Sequence, residues 1–372
     1  MKKILFIVSE DWYFMSHRIS LAKAAISQGY EVSLLTRISI HESDINSLGI
    51  QIINWPIERR SRNPFKELKS IYHIIKAVRK IKPDLVYSVA IKPVFYTILS
   101  KFFFNIKGIV LAFAGLGFIF RSDKASAKFL RFFVVFMFRL FLIDSNVRLI
   151  VQNKDDIKLL NKLKILNSEK IRLIRGAGVS TTYFYSKKIP HKIPLVILPG
   201  RMLWDKGVGD FVRCAQRFFL DKYNVRFALI GEPDIHNPES VPQEDLINWQ
   251  DLGYIEYWGR QENMFEVYNK ADLVCFPSYH EGLPRALLEA ASCELPIVAY
   301  DVSGCREIVI NNENGYLLPF RDENGLFQAI MKLLESPELR RKMGLKGRQI
   351  VMNNFTDKIV ISKTTDVWEE LI

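Results

Sequence analysis

Two short segments carry side chains suited to a phosphorylated substrate. The first runs Phe276-Pro-Ser-Tyr-His-Glu-Gly-Leu-Pro-Arg-Ala-Leu-Leu-Glu289. It reads as a buried strand ending at Phe276, a loop, and a helix opened by Pro284, since a first helical position tolerates proline. Glu281 then stands in the loop and Glu289 inside the helix. Backbone N–H groups of Gly282 and Leu283 lie at the helix start, where the dipole favours an anion. One short element thus offers phosphate donors flanked by two carboxylates suited to hydroxyls rather than to a metal. Either carboxylate taken singly also fits a surface glutamate on a generic strand–loop–helix.

The second segment, Pro199-Gly-Arg-Met-Leu-Trp-Asp-Lys-Gly207, also follows a strand directly. Gly200 and Gly207 permit tight backbone geometry around Arg201 and Lys206. A guanidinium fork plus an ammonium point charge can hold a diphosphate and stabilise one that departs.

These residues need a scaffold, and the hydrophobic pattern supplies one. Runs rich in β-branched residues alternate with segments of helical period, the signature of a parallel sheet covered by helices. Strands are expected at 4–9, 31–36, 51–54, 85–89, 109–113, 149–152 and 171–174, with helices at 16–28, 64–79, 93–103, 125–142 and 154–164 between them. Glu10–Phe14 reads as a loop. The stretch 176–194 lacks a clear period and reads as an interdomain connection. Further strands are expected at 195–198, 227–230, 254–258, 273–276 and 297–299, followed by a mostly helical end. The fold class is α/β, with two Rossmann-like domains facing across a cleft: residues 1–180, residues 190–354, and a final helix at 355–372 packing back on the first domain.

With these elements in place, a family resemblance is legible. Gly200-Arg201, Lys206-Gly207, Phe276-Pro277-Ser278, Glu281 with Glu289, and Ser303-Gly304 with Glu307 look like the donor-domain motifs of family 4 retaining glycosyltransferases of the GT-B fold. Asp11-Trp-Tyr-Phe-Met-Ser-His-Arg18, Ala90-Ile-Lys-Pro93 and Ala114-Gly-Leu-Gly117 are similar to bacterial transferases that add an N-acetylhexosamine to an undecaprenyl-diphosphate-linked sugar in O-antigen, capsule and related glycan assembly. The resemblance implies that Arg201 and Lys206 contact the diphosphate of a UDP-sugar, that Glu281 binds the donor sugar, and that Glu289 binds the ribose. It also implies that Gly200, Gly282, Leu283 and Pro284 lie under the phosphates and that the base sits near Arg260. Many family members have a His in the first-domain loop near the sugar; Phe113–Gly117 has none, so the resemblance leaves that role to backbone N–H groups of the loop, and Gly115 and Gly117 are acceptor-side candidates. No cofactor is implied beyond the UDP-sugar substrate. With no Asp-x-Asp in the chain, metal-free transfer is expected.

Charge divides the chain further. Of 372 residues, 52 are Lys or Arg and 40 Asp or Glu, a formal +12. Residues 1–190 carry +19 and the remainder −7. Residues 101–143 hold 12 of the 26 Phe, and Lys124, Lys128, Arg131 and Arg139 fall within about 80° of a helical wheel. A basic stripe beside aromatic faces fits an interfacial helix on an anionic membrane surface, and a core helix with a solvated stripe is the plainer reading. Arg59-Arg-Ser-Arg62 adds a second cationic cluster. Asp11, His17, Arg18 and Lys92 are acceptor-side candidates, Lys92 for the acceptor diphosphate. The longest apolar run, 132–143, is short for a membrane span, and five apolar residues after Lys3 are few for a signal peptide. The four cysteines lack metal spacing and are expected reduced. The expected setting is cytoplasmic, peripheral on the inner face of the cytoplasmic membrane.

Two other readings compete. A soluble family 4 transferase acting on a small sugar would not bind lipid, and a basic nucleic-acid-binding protein would use the +19 half. The second lacks a recognition motif, so no nucleic-acid partner is expected. A dinucleotide-dependent oxidoreductase is disfavoured because the first strand is not followed by Gly-x-Gly-x-x-Gly.

Overall fold

Among the described residues thirteen short runs become strands; most, such as Ile4–Val8 and Leu195–Leu198, are rich in Val, Ile, Leu or Phe and buried, as parallel sheets demand, while Gln51–Asn54 and Glu256–Gly259 are only partly buried. The computed structural model describes residues 1–58, 61, 63–113, 115, 131, 135–136, 138–139, 146–163, 168–187, 192–234 and 237–372. The chain forms two compact units, Met1–Ala177 with Asp357–Ile372, and Gly178–Thr356.

In unit 1, β1 (Lys3–Glu10), β2 (Glu31–Arg37), β3 (Gln51–Asn54), β4 (Leu85–Val89), β5 (Gly108–Ala112), β6 (Val147–Val151) and β7 (Ile171–Leu173) form one sheet, ordered β3-β2-β1-β4-β5-β6-β7. All its pairs are parallel. Helices α1 (Asp11–His17), α2 (Ile19–Ser27), α3 (Glu42–Asn46), α4 (Pro64–Ile81), α5 (Ile91–Ser100) and α6 (Lys154–Lys162) provide crossovers. The reversal of strand order beside β1 is the doubly wound arrangement. The expected helix at 125–142 lies almost wholly outside the described residues, as do Gly117, Lys124, Lys128, Arg59, Arg60 and Arg62.

Three local expectations change. The segment after β1 is helix from Asp11, not loop, and it breaks at Arg18 (φ −129°, ψ −10°) before α2. The expected strand at 254–258 starts later, at Glu256. The supposed connection is ordered against unit 2 up to Lys187: Asn269 accepts from the Lys187 N–H (2.6 Å) and donates to the Tyr185 carbonyl (3.1 Å).

In unit 2, β8 (Leu195–Pro199), β9 (Arg226–Ile230), β10 (Glu256–Gly259), β11 (Leu273–Phe276), β12 (Ile297–Tyr300) and β13 (Gly315–Leu318) are ordered β10-β9-β8-β11-β12-β13, again all parallel. The sequence reading lacked β13. Helices α7 (Val208–Leu220), α8 (Gln243–Asp251), α9 (Met264–Lys270), α10 (Arg285–Ser292), α11 (Ser303–Arg306), α12 (Glu323–Glu335) and α13 (Pro337–Asn354) surround the sheet. The chain then leaves unit 2, and α14 (Asp357–Glu369) packs in unit 1. There Trp368, fully buried, meets Phe6, Tyr87 and Tyr30 at centroid distances of 6.1, 5.8 and 6.2 Å. All four cysteines are free and buried. Among the described residues no helix is long and apolar enough to cross a membrane.

Candidate active site

The two chemical segments meet at the carboxyl ends of β8 and β11, neighbours in the unit 2 sheet. After β8 the chain makes a single tight turn, Trp204–Lys206, and Gly207 (φ +72°) starts α7. Any Cβ at Gly207 would land on the Pro277 carbonyl oxygen, so the close approach of the two loops requires glycine here. The Asp205 carbonyl accepts the Tyr279 N–H at 2.9 Å, which ties the loops together.

That approach brings Lys206 onto Glu281. Nζ donates to Oε1 at 2.6 Å and to the His280 carbonyl at 3.4 Å, with side-chain exposures of only 15% and 12%. Ser278 Oγ donates to the same Oε1 at 2.9 Å, and Ser303 Oγ donates to the Glu281 carbonyl at 3.3 Å. The ammonium is thereby fixed in direction, and its third N–H has no partner among the described residues. Pro284 sits at the N-cap of α10 rather than inside its first turn, and no side chain caps that helix. The positive end of its dipole therefore lies beside the fixed ammonium, an arrangement suited to an anion. Gly282 and Leu283 are half-buried on the same loop.

Arg201, half-exposed beyond Gly200, points elsewhere: Nη1 donates to Asp234 Oδ2 at 3.0 Å. Arg260 is exposed just past β10. Glu289 is buried, its Oε1 accepting from Arg285 Nε (2.8 Å) and its Oε2 from the Tyr268 hydroxyl (3.1 Å). Burial lifts its carboxyl above the ordinary glutamate value, and Arg285 and Tyr268 offset only part of that.

Beneath the loop lies a carboxylate the sequence reading overlooked. Asp210 on α7 is 1% exposed and accepts from the hydroxyls of Tyr279 (3.0 Å) and Tyr300 (2.8 Å) and from Arg213. Tyr279 lies two residues from Glu281, so Asp210 steadies the loop that aims it. The i,i+3 and i,i+4 spacings of Asp210–Arg213 and Arg285–Glu289 were available as signals; the tyrosines, distant in sequence, were not.

Of the acceptor-side candidates of unit 1, Asp11 and His17 lie on α1, Arg18 caps its end and Lys92 lies on α5. Asp11 anchors the loop at residues 39–41. Its carboxylate accepts the N–H groups of Trp12 (2.7 Å), Ser39 (2.7 Å), Ile40 (3.0 Å) and His41 (3.1 Å), and the Ser39 hydroxyl. Burial alone would raise its pKa, but these donors outweigh burial and hold the group below the ordinary aspartate value. Lys92 is also engaged: its ammonium donates to the carbonyls of Glu58 (3.1 Å) and Ser61 (2.8 Å) and to Glu67 Oε1 (2.9 Å). Arg18 is 4% exposed, with Nε lacking a partner among the described residues; burial works against its charge, but Tyr87 and Tyr13 beside it outweigh burial and hold its pKa above the ordinary arginine value. His17 stacks on Tyr13 at 4.3 Å and shares a 2.6 Å hydrogen bond with Ser16. Gly115 is half-buried past β5, Arg131 half-buried and Arg139 exposed.

A family model described as glycosyl transferases group 1 matches residues 179–350, and a glycosyl transferase 4-like model matches residues 3–153. The chain is a glycosyltransferase of the GT-B fold. It is 26% identical, over 96% of its own length and 98% of the relative's, to the N,N'-diacetylbacillosaminyl-diphospho-undecaprenol alpha-1,3-N-acetylgalactosaminyltransferase of Campylobacter jejuni. Sucrose-phosphate synthase from Thermosynechococcus elongatus shares the fold at TM-score 0.82 and 19% identity, covering 100% of this chain and 99% of that one. An Anabaena protein solved with UDP and glucose does so at TM-score 0.79 and 15% identity, covering 99% of this chain and 100% of that one.

Proposed function

We propose that the chain is a retaining transferase moving a sugar, an N-acetylhexosamine, from a UDP-sugar to an undecaprenyl-diphosphate-linked sugar in bacterial surface polysaccharide (O-antigen or capsule) assembly. In this reading unit 2 takes the donor, and unit 1 takes the acceptor while resting on the inner face of the cytoplasmic membrane. The full-length likeness to the Campylobacter jejuni relative supports the substrate class. The observation that carries the mechanism is the half-buried Lys206–Glu281 pair at the entry of α10.

Breaking the bond between the anomeric carbon and the phosphate oxygen leaves UDP with an added negative charge. Lys206, already aimed, and the start of α10 meet that charge as it develops, with no reorganisation at the moment of reaction. Arg201 exchanges Asp234 for a phosphate oxygen. The acceptor hydroxyl attacks from the face the diphosphate leaves, and its proton passes to the departing phosphate oxygen. Protein cations thus carry the charge stabilisation, and transfer proceeds without a divalent metal. Glu281 takes the donor sugar's hydroxyls, and Glu289 those of the ribose.

Incubation with a panel of UDP-sugars and synthetic polyprenyl-diphosphate sugars, with masses of the products, tests the reading. A single added N-acetylhexosamine is expected, lowered about a hundredfold or more in Lys206→Ala and Glu281→Ala. Full activity in either variant removes the site assignment; transfer to free sugars alone removes the acceptor class.

A further inference from the structure

The outer face of α4, remote in sequence from every donor-site residue, combines two properties. Phe65, Leu68 and Tyr72 are 81%, 63% and 59% exposed, and at 100° per residue they stand within about 60° of one another. Lys69, Lys76, Arg79 and Lys80 continue the same exposed face toward the C-terminus, and none is ion-paired among the described residues. The opposite side, through Ser70, Ile74, Ala77, Val78 and Ile81, is buried. Glu67 is the helix's one carboxylate and lies off the outer arc, occupied by Lys92 and the Tyr96 hydroxyl. The flanking His73 has its pKa lowered by burial and then by Lys69 and Lys76, which marks the concentration of positive charge.

We propose that this face of α4 docks unit 1 on an anionic lipid bilayer. Its three apolar side chains would enter below the plane of the lipid phosphates while the four cations sit at that plane. The charge pattern chooses the occupant. Nucleic acid matches the cations and leaves Phe65 and Leu68 in water; an apolar protein groove leaves four cations unpaired; the interface of an acidic bilayer satisfies both. The inference rests on the lipid-linked acceptor reading above, and it names α4 as a contact surface.

Flotation of the full chain with vesicles tests it. Binding to phosphatidylglycerol–phosphatidylcholine vesicles and not to phosphatidylcholine alone is expected. Phe65→Ser/Leu68→Ser/Tyr72→Ser should lower the bound fraction about tenfold or more, and Lys76→Glu/Arg79→Glu should do so independently. UDP binding unchanged from wild type certifies folding of each variant. Wild-type flotation by both variants overturns the α4 assignment, as does a dimer in the wild type that falls to monomer in the variants without any vesicle binding. Transfer to the polyprenyl acceptor in detergent is measured in parallel: its loss in the wild type defeats the functional reading, and its retention with undisturbed flotation of the variants defeats only this surface.

Discussion

Lys206 and Glu281 show what residue type can and cannot reveal. They stood out as candidates because cation, carboxylate and glycines lie on short motifs; their hydrogen-bond partners did not. Asp11 and Lys92 have the same reactive types, yet loop amides and Glu67 occupy them, and nothing local in the sequence announces that. Asp210 is the converse, a structural carboxylate whose tyrosines lie 69 and 90 residues away. Asp210→Ala strands two phenols and Arg213 without their buried acceptor and should cost about 3–5 kcal/mol in denaturant titration, whereas Asp210→Asn keeps an acceptor and should cost less. Tyr279→Phe should cost about 1 kcal/mol and raise the donor KM by loosening the Glu281 loop. Glu289 gives a pH dependence. Its folded pKa lies above the ordinary value of 4.5, so ionisation costs stability as pH rises through that range, and protonation on acidification arrives early. If the carboxylate accepts ribose hydroxyls, UDP affinity weakens as pH falls through the raised value. Calorimetry should show that Glu289→Gln flattens this dependence and lowers neutral-pH affinity about tenfold. UDP's own titration is common to both proteins, so an identical pH dependence in the variant would exclude the role.

At the scale of elements, the Val- and Ile-rich strands were legible because a strand buried on both faces is a continuous apolar run. Elements defined by tertiary contact were not. Gly315-Tyr-Leu-Leu318 becomes β13 only by pairing with β12, and α1 starts at Asp11 where sequence suggested a loop. The turn between β8 and α7 depends on one residue. Gly207→Ala forces a positive φ on a side chain that also collides with the Pro277 carbonyl, whereas Gly29→Ala imposes a positive φ (+85°) in open space. Gly29→Ala should therefore cost about 1 kcal/mol, and Gly207→Ala at least about 2 kcal/mol. Displacing the two loops separates Lys206 from Glu281, so transfer by Gly207→Ala should fall far more than its thermal stability does. Equal, small losses in both properties would mean that the loop contact is not needed for catalysis.

Across the whole molecule, two βα series predicted two units, and the discontinuity of the first has an energetic consequence. Unit 1 is completed only when α14 returns from unit 2, so part of its core is supplied by the last residues of the chain. Trp368 fills that core, and Glu370 clamps it: Oε2 accepts from Arg172 Nη2 (2.7 Å) and Arg148 Nε (2.9 Å), Oε1 from Arg172 Nε (3.2 Å). Burial would raise the Glu370 pKa, but the two arginines outweigh it and hold the carboxyl below its ordinary value of 4.5. A depressed folded pKa means that the clamp's contribution is complete above 4.5 and is lost as pH falls through the folded value. Trp368→Ala should destabilise unit 1 by about 3–5 kcal/mol. On the proposed donor role of unit 2, UDP should raise only that unit's transition. Scanning calorimetry of the full chain should then resolve a UDP-insensitive transition that moves down in Trp368→Ala and with acidification, and a UDP-sensitive one that the substitution leaves in place. A single transition shifted by both UDP and the substitution would show instead that the two units unfold as one, and that α14 couples them rather than completing unit 1 alone.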